Sequence, residues 1–289
     1  VLTLAAYLVG AVCGLLVRRA GPRLQHDWPL YLRGQLMVTA GAAGVFAAWR
    51  LTAPHELVGP LLITAAGFVL VGAAVATRGR VSSGEAGLEA WAAEPNGAFF
   101  VLPVAGIFAG PAAVGVAALA NALYAFPNAV CTHLMRRDAP HPQRRATTWV
   151  DQSSVGALVL GLLLHLAGPA PSWSHLVLNV SGPLLALTGA AVFVGSAVHP
   201  HNTAVERHDH GLRRFVWLSA LRAACLLPLA FLAPDRPLAV VAVLGALTAP
   251  TFSPVQLAVL YGYRSGLVNS AVRWGWVLVP AGLVLAALV

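Results

Sequence analysis

Residues 95–110 read PNGAFFVLPVAGIFAG, and residues 247–262 read LTAPTFSPVQLAVLYG. Each is an apolar stretch of helix-forming length with proline in its interior: Pro103 in the first, Pro250 and Pro254 in the second. Proline removes a backbone donor and clashes with the carbonyl four residues back, so both helices are predicted to break near these residues. If they lie in lipid, the freed amides and carbonyls must find partners in protein, water or ligand. Polar residues gather at both places. Glu94 and Asn96 precede Pro103, and Thr248, Thr251, Ser253 and Gln256 surround the second pair. A paired break with polar company is the pattern expected of a binding site, although proline is also frequent in membrane helices that bind nothing.

Working outward, the 289 residues are 58% hydrophobic and 10% charged, with a mean hydropathy of +0.75, against roughly 25% charged residues in a soluble domain. Too few charges are present to coat a globule, so most of the surface is predicted to face lipid. All 18 cations are arginine, giving a formal charge of +8. Basic, aromatic-interleaved surface of the kind nucleic acid needs is absent, so no nucleic-acid partner is expected. Cys13, Cys131 and Cys225 lie in apolar stretches without a CxxC, which predicts buried thiols and no thiolate metal site.

A bilayer core of about 30 Å needs about 20 apolar residues per helix. Ten blocks of that size run approximately over 1–17, 31–49, 57–77, 90–109, 112–135, 147–167, 175–197, 215–233, 237–260 and 266–288. The first lacks a basic n-region and a cleavage site and reads as a retained helix. The arginines test the count: thirteen fall in the loops after odd-numbered blocks, only Arg50 and Arg236 in the others, and Arg33, Arg222 and Arg273 within blocks. By the positive-inside rule the odd loops are cytoplasmic and both termini outside, in a multi-pass protein of the cell membrane. Ten helices divided at the basic loop make a first five-helix repeat (1–137), a cytoplasmic loop (138–146) and a second repeat (147–289). An odd number per repeat inverts the second, which is the plan of secondary transporters.

At these residues the sequence resembles the auxin efflux carrier family. Asn96 to Pro103 keeps the spacing of the family's helix 4 motif, with Ala109-Gly110-Pro111 closing the helix, although two glycines of the motif are replaced. Leu257-Ala258-Val259-Leu260-Tyr261-Gly262 resembles the end of its helix 9 motif and places Ser253 at an Asn/Ser position, with the prolines shifted by one or two places. Ser181, Pro183 and Gly189 resemble its helix 7. The resemblance implies an all-α membrane protein of bile-acid-symporter or PIN-like architecture, in which broken helices 4 and 9 cross. It also implies a small organic anion, such as a carboxylate, held there and moved by alternating access. The substrate residues so implied are Asn96, Pro103, Pro250, Thr251, Ser253 and Pro254. A half-helix starting at a break offers unpaired N–H groups and the positive end of its dipole to such an anion.

Glu94, Gln256, Arg222 and Arg273 are further candidates, for ion coupling or anion contact. Each arginine would cost about 2.5–3.5 kcal/mol at a helix centre, and snorkelling of its head to the interface is the favoured reading. Glu94 is a candidate for a coupling proton or cation, and an interfacial, solvated glutamate is the alternative. Beyond proton or sodium no cofactor is expected, and a homodimer is compatible with the sequence. The loop of His199, His201, His208, Asp209 and His210 has no closed zinc spacing and reads as solvated. No HExxH, GxSxG or aspartate-rich motif supports an enzyme. The alternative within transport is a sodium-coupled organic-anion symporter of the bile-acid type.

Overall fold

A computed structural model describes residues 2–19, 22–77, 83–139, 153–196, 209–248, 263 and 276–289 of the chain. Among them the fold is all-helical, with no strand. The elements are α1 (Leu2–Arg19), α2 (Pro22–Trp49), a 3-10 turn (Pro54–Leu57) leading into α3 (Val58–Ala76), α4 (Ser83–Ala93), a π turn (Gly97–Val101), α5 (Leu102–Leu123) and α6 (Ala125–Arg137). After the basic loop come α7 (Ser153–Ala167), α8 (Ser174–Ser196), α9 (Asp209–Leu232), α10 (Arg236–Leu247), a 3-10 turn (Trp276–Leu278) and α11 (Val279–Leu288). Each of the ten apolar blocks therefore carries helix in its described part.

Three helical stretches, Pro54–Ala76, Gly97–Arg137 and Arg213–Leu232, are long and apolar enough to cross a bilayer, and shorter apolar helices accompany them. Their surface is that of a membrane protein. On α1, Leu4, Leu8, Val12 and Leu15 form an exposed stripe, and Val159, Leu160, Leu163 and Leu166 of α7 are equally bare. Contiguous apolar surface of this extent would be unstable against water. The interior is built instead on small residues such as Ala43, Ala47, Ala113, Ala117 and Ala118, which let helix backbones approach closely where lipid removes any hydrophobic drive to associate.

The 41 residues from Gly97 to Arg137 would reach about 60 Å as one straight helix, twice the bilayer core. They do not run straight. Ala109 (φ −135°, ψ 18°) and Gly110 (φ 68°, ψ −162°) leave the helical region just before Pro111. A methyl on Gly106 would lie 2.8 Å from Val114 Cγ2, although eight residues of straight helix separate atoms by about 12 Å. The chain folds back on itself at Ala109-Gly110-Pro111, so α5 is two helices joined by a tight reversal.

Packing sorts the helices into two sets. α1 lies along α8, α2 along α7, and α2 also along α8. The other set joins α3 to α4, α4 to α6, α9 to α3 and α10, and α10 to α11, while α5 touches both sets. Two glycines set the closest approaches in the first. A side chain at Gly10 of α1 would overlap the Leu187 carbonyl of α8, and one at Gly161 of α7 would overlap the Val45 carbonyl of α2.

Candidate functional site

The helix expected to break at Pro103 is interrupted earlier. α4 ends at Ala93, Glu94-Pro95-Asn96 is not helical, and the chain resumes at Gly97 as a π turn. The reason is local. A residue before proline is pushed out of the α region, which stops α4 at Glu94, and Asn96 then restarts the helix by capping it. Its Oδ1 accepts from Phe99 N at 3.3 Å. Pro103 lies six residues past Gly97 in this restarted helix, whose bonding already includes Leu102 N to Gly97 O; its ring cannot bond the Phe99 carbonyl four residues back, which accepts from Tyr7 Oη instead. Pro103 packs toward α8, where a methyl on Gly182 would meet its Cα at 3.6 Å.

The π turn is held from three sides. Tyr7 Oη of α1 donates to the Phe99 carbonyl at 2.9 Å. Gly189 of α8 leaves room for the Phe99 side chain, and Gly97 leaves room for Asn121, whose Oδ1 lies 2.7 Å from where a Cβ would stand. Asn121 of α5 thus packs against the start of the π turn.

Arg222 does not snorkel. Its side chain, on α9, has 0% exposure, and its guanidinium faces the ends of two helices. Nη1 donates to the carbonyl of Ala93, the last residue of α4, at 2.5 Å. Nε donates to Ala246 O at 3.2 Å and Nη2 to Thr248 O at 2.8 Å, both at the end of α10. A cation at a helix C-terminus meets the negative end of its dipole and its unpaired carbonyls, which offsets the cost of burying the charge.

Glu94 is likewise buried, 1% exposed, and within electrostatic reach of Arg222. The solvated interfacial alternative for this residue is thereby overturned. Its Oε1, and the Oγ1 of buried Thr248, have no hydrogen-bond partner among the described residues. The structure thus brings Glu94, Asn96, Arg222 and Thr248 to one interruption. Pro250, Thr251, Ser253, Pro254, Gln256 and Arg273 lie outside the described residues, as do His199, His201 and His208.

A second arginine on α9 does similar work and was not singled out from the sequence. Arg214 pairs with Glu89 of α4 at 2.8 Å and donates to the Ala74 and Thr77 carbonyls that end α3, at 3.1 and 3.2 Å. The signal available was only that α3 needs a cation at its end; which helix supplies it is a tertiary fact. A separate cavity of about 580 Å³ between the ends of α2 and α7 and the start of α8 is lined by residues including Arg50, His165, Ser174 and His175, and shares none with the interruption. No group of three metal-ligating side chains occurs among the described residues.

Compared with known proteins, the chain matches no family model and no curated sequence.

Proposed function

We propose that the chain is a secondary transporter of a small organic anion, of the auxin efflux carrier kind, with ten membrane helices in two inverted five-helix repeats. The single observation that carries the reading is the interrupted helix at Glu94-Pro95-Asn96, whose first half ends on the same buried guanidinium as α10 of the other half of the chain. A backbone break inside an apolar span is stable only where protein or a polar cavity receives it, and transporters place substrate at such breaks.

Packing supports the repeat. Numbering the ten expected spans in order, α1 on α8 is span 1 on span 7, and α2 on α7 is span 2 on span 6. Exchanging each span for the one five places away converts the first pair into the second. The same exchange turns α3 on α4 into α9 on α10, and α4 on α6 into α10 on α11. It also carries the close approach of Gly10 to Leu187 onto that of Gly161 to Val45.

In this reading Asn96 holds the restart of the helix beside the substrate and Ser253 offers the matching polar group in the second half. Protein reconstituted in liposomes is expected to move one or more radiolabelled mono- or dicarboxylates, and Asn96→Ala and Ser253→Ala each to lower that flux, with yield near wild type and, for Asn96→Ala, a midpoint lowered only by the loss of its cap, about 1 kcal/mol. Wild-type flux in both variants removes the site assignment, and no flux across a panel of carboxylates removes the substrate class.

A further inference from the structure

The ends of α4 and α10 present their carbonyls to one point. In a helix the final carbonyls lack partners and carry roughly half a negative charge, so two such ends together amount to about one negative charge. Left alone in a membrane interior, that concentration of oxygen is costly. At the point itself stands the Arg222 guanidinium, on the carbonyls of Ala93, Ala246 and Thr248. Two residues at these ends carry further buried oxygens without partners among the described residues: Glu94 Oε1, on the residue after Ala93 and within electrostatic reach of Arg222, and Thr248 Oγ1.

Three carbonyls meet at this point, and the unpartnered groups on the neighbouring residues, a carboxyl and a hydroxyl, are oxygen too. An oxygen shell is what a hard metal cation takes, in contrast to the nitrogen and sulfur ligands of zinc or copper. A guanidinium offers five N–H donors in one plane, and all three carbonyls are met, from Nε, Nη1 and Nη2. The centre therefore has the oxygen lining of a cation site and already contains a cation that is covalently attached.

We infer that Arg222 is a tethered cation filling an oxygen-lined site between the C-terminal ends of α4 and α10, so that the native centre takes no soluble sodium ion and Arg222→Ala opens the site to one. The inference rests on the geometry of the centre and is read by stability, so failure of carboxylate flux would leave it standing. Its failure would leave the transport assignment untouched.

Purified full-length protein is melted in sodium chloride and in choline chloride at equal ionic strength. Wild type is expected to give the same midpoint in both. Arg222→Ala is expected to melt lower in choline, with sodium returning at least half of the loss. Arg222→Lys, which keeps a point charge but not the planar fork, is expected to hold more of the midpoint than Arg222→Ala and to ignore sodium. A sodium-specific rise in wild type overturns the inference. So does an Arg222→Ala midpoint that sodium leaves unchanged, or an Arg222→Lys variant as damaged as Arg222→Ala. Should Arg222→Ala be too unstable to melt, its yield of folded protein prepared in sodium and in choline is compared instead: recovery in sodium alone is expected, and equal failure in both salts overturns the inference.

Discussion

Gly110 shows how much one residue can fix. Its φ of 68° with ψ of −162° lies in a region open essentially to glycine alone, at about 1–3 kcal/mol for any other residue. Gly110→Ala is therefore expected to lower the thermal midpoint of the detergent-solubilised protein by the equivalent of ~1–3 kcal/mol. Gly115, five residues on in the helical part of α5 with open space at its Cβ, should respond in the opposite sense. Gly115→Ala is expected to gain about 0.5–1 kcal/mol from helix propensity. Equal effects of the two substitutions would remove the reversal at Ala109-Gly110-Pro111. At this scale the sequence was only partly readable. Arg222 was identifiable as an anomaly because its charge is expensive in lipid, but its remedy was not. Its acceptors lie 129, 24 and 26 residues away, and backbone carbonyls leave no mark on composition.

At the scale of elements, the apolar blocks were legible because lipid demands a helix of near-fixed length wherever the chain crosses it. The position of the break was not. Pro103 drew the prediction, yet the interruption follows from Pro95 and Asn96, a pair with a turn signature of its own that precedes Gly97. The carbonyl that Pro103 leaves without a helical partner, Phe99 O, is met from another helix by Tyr7. Helix pairing was also illegible, since Gly10 and Gly161 are two of 28 glycines and only their opposing carbonyls distinguish them. Gly10→Ala and Gly161→Ala must each push a partner helix outward, and each is expected to cost ~1–3 kcal/mol in thermal denaturation. The inverted repeat requires that both be damaging. One variant with an unchanged midpoint would break the equivalence.

For the whole molecule, the arginine distribution gives the orientation expected in the membrane, and chemical labelling tests it. In a background lacking Cys13, Cys131 and Cys225, cysteines introduced by Pro140→Cys and Ala204→Cys are expected to resist an impermeant thiol reagent added outside intact cells. They should react once the cells are opened. Labelling from outside would invert the topology and move both termini to the cytoplasm. Arg214 qualifies the sequence argument here, because it is more than a marker of sidedness. It joins α9 to the end of α3 and to Glu89, so part of the charge expected to orient the protein also fastens its helices together.

The buried guanidinium has a consequence for the order in which the protein is made. Arg222 is translated long after Ala93, but 24 and 26 residues before the Ala246 and Thr248 carbonyls that complete its shell. During that interval α9 carries a charge with only one of its three acceptors in existence, on a segment whose entry into lipid that charge opposes. Synthesis of α10 supplies the other two. Insertion of α9 is therefore expected to depend on the arrival of the next helix, and α4, α9 and α10 together form the smallest unit that brings Arg222 all three of its partners.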